Sequence, residues 1–157
     1  MENKDISLLI GNVGFNYRVA AVIEYDNKIL LHKPNDWDFW NLPGGRVKTN
    51  EPSEQALTRE LEEELGYRFE HFKFIHLAEN FFKWKGNDAH ELLFVYKITL
   101  SDKDALAHMQ DFKSLDNDKM IYHWFEKSEI KNIKCLPDLI YFFAEKENDD
   151  FLHTYGS

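Results

Sequence analysis

Gly44-Gly45-Arg46-Val47-Lys48-Thr49-Asn50-Glu51-Pro52, then Ser53-Glu54-Gln55-Ala56-Leu57-Thr58-Arg59-Glu60-Leu61-Glu62-Glu63-Glu64-Leu65, closed by Gly66-Tyr67, is the stretch around which the rest of the chain is organised. Its first half is a glycine turn running into a polar loop. Pro52 stands where a first helical turn tolerates a residue without an N–H. Gly66 stands where a helix ends on a residue of positive φ. Only good or neutral helix formers lie between, so the spacing predicts a helix over 53–65.

At roughly 100° per residue, Leu57, Leu61 and Leu65 share one stripe that can be buried. Glu60, Glu63 and Glu64 share the adjoining arc, with small Ala56 among them, and Glu62 points away from both. Carboxylates at i, i+3 and i+4 repel each other by a few tenths of a kcal/mol per exposed pair, and by more near a buried surface. A hard divalent cation, which takes carboxylate oxygens, removes that repulsion. An isolated helix of this kind would be read as a solvated acidic face.

The flanking residues argue otherwise. From Gly45 the spacing is five residues to Glu51, seven more to Arg59-Glu60-Leu61, one to Glu63-Glu64 and one to Gly66-Tyr67. This resembles the Nudix box, with every specified position filled; the one soft departure is Tyr67, where an aliphatic residue is more usual. The box spans Gly45 to Tyr67, and a weaker likeness extends over residues 15–147. The resemblance implies a single-domain α/β fold, a Nudix-type α/β/α sandwich with a mixed β-sheet. It also implies a Mg²⁺-dependent hydrolase (Mn²⁺ a substitute) cleaving a diphosphate linkage by water attack on phosphorus.

Carried over by position, Glu60, Glu63 and Glu64 are the expected metal ligands. The backbone carbonyl of Gly44 is a further candidate, because a residue without Cβ lets the chain approach a cation. Glu51 either ligates directly or receives Arg59 in an ion pair that fixes loop and helix, and the second is favoured. One more carboxylate from outside the box is expected as base or extra ligand, with Asp116, Asp118, Glu79 and Glu91 as candidates. Arg18, alone in an apolar strand, either meets substrate phosphate or pairs with an internal carboxylate. Arg46 and Trp40 complete the substrate-binding candidates. The aromatics Trp37, Phe39, Phe81, Phe82 and Trp84 offer a base-stacking clamp or ordinary core. His90-Glu91 opens no zinc-protease helix, since position 94 is Phe. Lone Cys135 reads as a small buried apolar residue, and no nucleophile–base pair supports covalent catalysis.

Away from the box, Phe15 to Glu24, an Asp26-Asn27 turn and Lys28 to His32 read as a hairpin. Extended segments are expected over 39–43, 69–82, 91–100 and 121–125, a short helix near 104–109 and a second helix over 137–147. The segment 1–14 reads as a short strand or arm, and 148–157 as a loose aromatic tail available to a partner subunit in a homodimer. Strands before and after one helix, with another helix at the end, suggest a mixed sheet covered on both faces. The 157 residues suit one domain of 43% hydrophobic composition. A net charge of −9 argues against duplex nucleic acid. One cysteine suits a reducing cytoplasm, and no apolar run approaches the ~20 residues of a membrane span. The expected substrate is a small nucleotide, foremost a nucleoside diphosphate linked to another moiety. A MutT-like nucleoside triphosphate pyrophosphohydrolase is the alternative, an RNA 5′-end pyrophosphohydrolase less so. A non-catalytic nucleotide-sensing module would be expected to lose a box carboxylate, and this chain keeps them all.

Overall fold

In the computed structural model, residues 2–147 and 149–156 are described; Met1, Asn148 and Ser157, the outer positions of the expected arm and tail, lie outside the described residues. The central strand is β2 (Val13–Tyr25), preceded by β1 (Ser7–Ile10). Asp26 and Asn27 both take positive φ, 47° and 62°, the two-residue geometry that suits the twist of a hairpin. They lead into β3 (Lys28–Pro34), then β4 (Gly44–Arg46) and α1 (Ser53–Leu65). The helix has the expected bounds. Pro52 is its cap residue at φ −62°, and left-handed Gly66 at φ 73° returns its N–H to Glu62. Then come β5 (Lys73–Trp84), β6 (Asn87–Thr99), β7 (Phe112–Lys113), β8 (Met120–Glu126), α2 (Leu139–Glu145) and β9 (Leu152–Gly156).

Among the described residues the strands form one mixed sheet with the order β7-β8-β3-β2-β6-β5-β9. β6 lies parallel to β2 from Val13↔Asp88 to Glu24↔Thr99. The other edge of β2 is shared in turn by β1, by β4 at Arg18 to Ala20, and by β3 at Glu24 and Tyr25. β3 then leaves β2 to pair with β8 along its whole length. β4 is thus a wedge set where two neighbouring strands part, and it carries the glycine turn into that gap.

Alternation along β2 divides the core in two. Val19, Ala21 and Ile23 pack with Ala56, Leu57, Leu61 and Leu65 of α1, whereas Ala20 and Val22 pack with Ile140 and Phe143 of α2. One helix on each face of a mixed sheet is the expected α/β/α arrangement. Leu57 and Leu61 are almost wholly buried, and fully burying such a side chain is worth about 1.5–3 kcal/mol.

The differences from the sequence reading are at strand ends and at the tail. Lys85 and Gly86 take positive φ in a tight turn, so β5 and β6 run to Trp84 and from Asn87, beyond the expected limits. The polar residues there obscured the pairing. Residues 39–43 form isolated bridges, His32↔Asn41 and Trp40↔Cys135, and no strand. The segment near 104–109 is a 3-10 turn at Ala105–His108. The tail is not loose: β9 adds in parallel to the edge of β5, from His76↔Leu152 to Asn80↔Gly156. Its pairing is long-range and leaves no local signal. No helix among the described residues is long and apolar enough to cross a membrane.

Candidate active site

The helix and the wedge meet through Arg59. Its Nε donates to Glu51 Oε1 at 2.7 Å and its Nη2 to Glu51 Oε2 at 3.0 Å. Nη1 donates to Glu60 Oε1 at 2.7 Å, and Nη2 also reaches the Arg46 carbonyl at 3.0 Å. Glu51 Oε2 further accepts the backbone N–H of Lys48 at 2.9 Å. The ion pair with Arg59, one of the two arrangements expected for Glu51, is present. It clamps loop, wedge and helix to one guanidinium, whose planar fork suits such bidentate pairing. The Arg59 side chain beside Glu51 holds that carboxyl below its ordinary range.

The three helix carboxylates have unlike surroundings. Glu63 is about half exposed, with Oε2 3.6 Å from Arg59 Nη1. Glu60 is more enclosed: burial pushes its carboxyl up, against the pull of Arg59 and with added repulsion from Glu63. Glu64 is 9% exposed. Burial pushes it up to about 8, opposed by a hydrogen bond from Tyr122 and reinforced by Glu60 and Asp116. Tyr122 Oη donates to Glu64 Oε2 at 2.8 Å, and His32 Nδ1 lies 3.2 Å from the same hydroxyl.

The glycines of β4 explain how a carboxylate can sit against the wedge. A Cβ on Gly45 would collide with the carboxyl group of Glu60. A Cβ on Gly44, at φ 152°, would collide with the carbonyl of Val19. Among the described residues no group of three or more His, Cys, Asp or Glu side chains is gathered so that it could hold a metal ion as it stands. The donor set nevertheless fits a hard divalent cation. The carboxylates of Glu60, Glu63 and Glu64, two of them pushed up by burial, are oxygen donors of the kind Mg²⁺ and Mn²⁺ take.

Beyond the wedge, on the face of the sheet opposite α1, lies a polar patch. Glu91 of β6 is buried; Arg18 Nη1 stands 3.8 Å from its Oε2, and Asn80 Nδ2 donates to its Oε1 at 3.1 Å. Both readings of Arg18 survive, because its side chain is 42% exposed while paired with Glu91. Arg46, the cross-strand partner of Arg18, donates through Nε to Asn16 Oδ1 at 3.1 Å. Phe82 and Trp84 follow Asn80 along β5. The ring of Trp37 lies 5.5 Å from that of Trp84 and 4.6 Å from that of Phe39, so the loop after β3 arches over to the end of β5.

Trp40 is placed elsewhere. Its ring packs edge-on against Phe125 at 4.9 Å and beside His123 at 6.0 Å, where it anchors the loop onto the second core. Among the outer carboxylates, Glu79 pairs with His153 of β9 at 2.7 Å. Asp118 is exposed in a turn, and Asp116 accepts from Ser114 Oγ at 2.6 Å near the end of α1. Cys135 is buried, and burial pushes its thiol up to about 11, so it is inert packing.

Sequence reasoning missed His32 and Tyr122. Nothing local set them apart from other polar-tipped residues of the same strands, such as His123, and their facing register becomes visible only in three dimensions.

Comparison with known proteins agrees with this geometry. The chain matches the family model for the NUDIX domain over residues 15–146. It is 24% identical over 140 residues to an RNA pyrophosphohydrolase from Acinetobacter baylyi, covering 80% of this chain and 84% of that one. It is 33% identical over 94 residues to an 8-oxo-dGTP diphosphatase from Buchnera aphidicola, covering 50% and 72%. Among solved structures, the MutT protein of Bacillus halodurans superposes with a TM-score of 0.69 at 17% identity, covering 89% and 88%.

Proposed function

The chain belongs to the NUDIX family and is a hydrolase of pyrophosphate bonds; on that footing we propose a Mg²⁺-dependent enzyme that cleaves the phosphoanhydride of a small nucleotide by water attack on phosphorus. The observation that carries the reading is the clamp of Arg59 on Glu51 and Glu60, which presents the α1 carboxylates at the glycine wedge. Glu60, Glu63, Glu64 and the Gly44 carbonyl would hold the cation. Bound there, a divalent ion supplies charge neutralisation for the phosphates and lowers the pKa of an attacking water.

The chain's own residues do the positioning. Arg59 sets the carboxylates and is an orienting residue. Arg18 and Arg46, cross-strand partners on β2 and β4, would meet phosphate oxygens. Glu91, held by Asn80 and Arg18, is the favoured candidate for the extra carboxylate, with Asp116, Asp118 and Glu79 behind it. Trp37, Phe39 and Trp84 would offer a stacking wall for a base.

A nucleoside triphosphate, cleaved to monophosphate and pyrophosphate, is favoured here over the diphosphate-linked substrate first expected, because one relative is named for 8-oxo-dGTP. RNA is disfavoured by the charge of −9. A nucleoside diphosphate linked to a second moiety is the other reading. The test is turnover of a panel containing (d)NTPs, 8-oxo-dGTP, ADP-ribose, nucleotide sugars and 5′-triphosphate RNA, in Mg²⁺ and in EDTA. Metal-dependent release from the triphosphates alone is expected. Turnover confined to the diphosphate-linked compounds would move the assignment to them, and tight binding without turnover would make the chain a sensor.

A further inference from the structure

Tyr122 of β8 is wholly buried, at 0% exposure, and its ring stacks on Phe112 with centroids 5.0 Å apart and planes 2° from parallel. For that packing a phenylalanine would serve as well. A buried hydroxyl is costly unless it is hydrogen-bonded, so its presence needs a polar reason. Its partners are Glu64 Oε2 at 2.8 Å and His32 Nδ1 at 3.2 Å. His32, 4% exposed, faces Tyr122 directly across the β3–β8 pairing. The hydroxyl donates to Glu64, and the imidazole of His32, which also meets the Leu42 carbonyl, packs against it from behind.

Resting on the reading of Glu64 as a cation ligand, we infer that Tyr122, backed by His32, is a positioning residue that fixes the Glu64 carboxylate for metal binding. With Oε2 held from behind, the plane of the carboxyl group is set and Oε1 is left for the cation. A glutamate side chain otherwise loses several rotatable bonds of freedom on ligation. Carboxylate ligands are commonly oriented by such hydrogen bonds, and loss of one costs about 10–100-fold in metal affinity or activity. The strands β3 and β8, which carry the pair, lie outside the box, so this contact ties a further part of the sheet to the site.

The test is Mn²⁺ binding to the full chain, measured by calorimetry or by the signal of free Mn²⁺ in electron paramagnetic resonance. The proteins are wild type, Tyr122→Phe, Glu64→Gln and the double variant, each checked for fold by circular dichroism. Tyr122→Phe is expected to weaken binding about 10–100-fold, Glu64→Gln at least as much, and the double variant no more than Glu64→Gln alone. In turnover, kcat should fall more than KM rises. Should Tyr122→Phe not fold, His32→Leu tests the same contact from one step further back: binding weakens, and His32→Gln, which keeps a polar group beside the hydroxyl, recovers part of it. Wild-type Mn²⁺ affinity in Tyr122→Phe with a clear loss in Glu64→Gln would overturn the inference and leave the site reading intact. So would losses that multiply in the double variant. Wild-type affinity in Glu64→Gln would instead overturn the ligand reading itself.

Discussion

Arg59 grips Glu51 with two parallel hydrogen bonds, Nε to Oε1 at 2.7 Å and Nη2 to Oε2 at 3.0 Å, across eight residues of sequence. Both side chains are largely enclosed, at 22% and 10% exposure. Breaking such a pair leaves one charge without compensation. Replacing Arg59 by Ala should therefore destabilise the fold by about 2–4 kcal/mol, toward the lower end of the buried-pair range because Arg59 is partly solvated. Lys should recover only part, since it cannot reproduce the fork. Urea unfolding of the three proteins checks both statements.

The wedge yields a sharper separation of fold from function. Gly45→Ala would drive its Cβ into the Glu60 carboxyl group, which lies on a flexible side chain that can move aside. The protein should fold with Tm little changed, and lose at least tenfold in turnover and in Mn²⁺ affinity. Gly44→Ala meets the backbone of Val19 and Ala20 instead, at a φ that side chains rarely adopt. It should cost about 1–3 kcal/mol in stability.

Acid should destabilise the protein through His32. Burial, with the charge of Arg18, pushes its imidazole down to about 3 from the usual 6.5, so the folded state takes its proton later than the unfolded one. The associated stability is fully present above pH 6.5 and is lost as pH falls toward 3. Between pH 7 and pH 5 the loss is about 2 kcal/mol. Comparing urea unfolding at these two pH values in wild type and His32→Leu isolates it: the variant should lack that part of the drop.

The tail makes a prediction opposite to its sequence reading. Ending the chain after Glu147 removes β9, the Lys97–Asp149 ion pair at 2.7 Å and the His76–Thr154 hydrogen bond at 2.8 Å. It also bares the edge of β5. The truncated protein should melt several degrees lower, a loss on the order of 1–3 kcal/mol, with no change of oligomeric mass by light scattering. A fall in mass would restore the intersubunit role first expected of this tail.

What the sequence disclosed was what is local. The helix bounds were set by Pro52 and Gly66, and the shared arc of Glu60, Glu63 and Glu64 follows from helical periodicity alone. The Asp26-Asn27 hairpin likewise needed only neighbouring residues. What stayed hidden depends on which strands meet. β4 is a wedge because β3 pairs with β2 only at Glu24 and Tyr25, and β9 found its place on distant β5, with Leu152 opposite His76. Trp40 and Trp37 looked alike in sequence, but the Trp40↔Cys135 bridge ties one to the core while the other reaches Trp84. His32 and Tyr122 read as ordinary strand residues until the register set them face to face.

The most direct test of the central claim is Glu63→Gln. Glu63 is the box carboxylate least involved in holding the fold, 46% exposed with a single long contact to Arg59, so its amide should leave structure and stability nearly as they were. Release of nucleoside monophosphate and pyrophosphate from an accepted nucleotide should be strong in wild type with Mg²⁺, absent with EDTA, and reduced at least a hundredfold in Glu63→Gln, as expected for loss of a ligand that acts on the transition state. Wild-type turnover by a folded Glu63→Gln protein on every accepted substrate would contradict the assignment of the α1 carboxylates as the catalytic metal site.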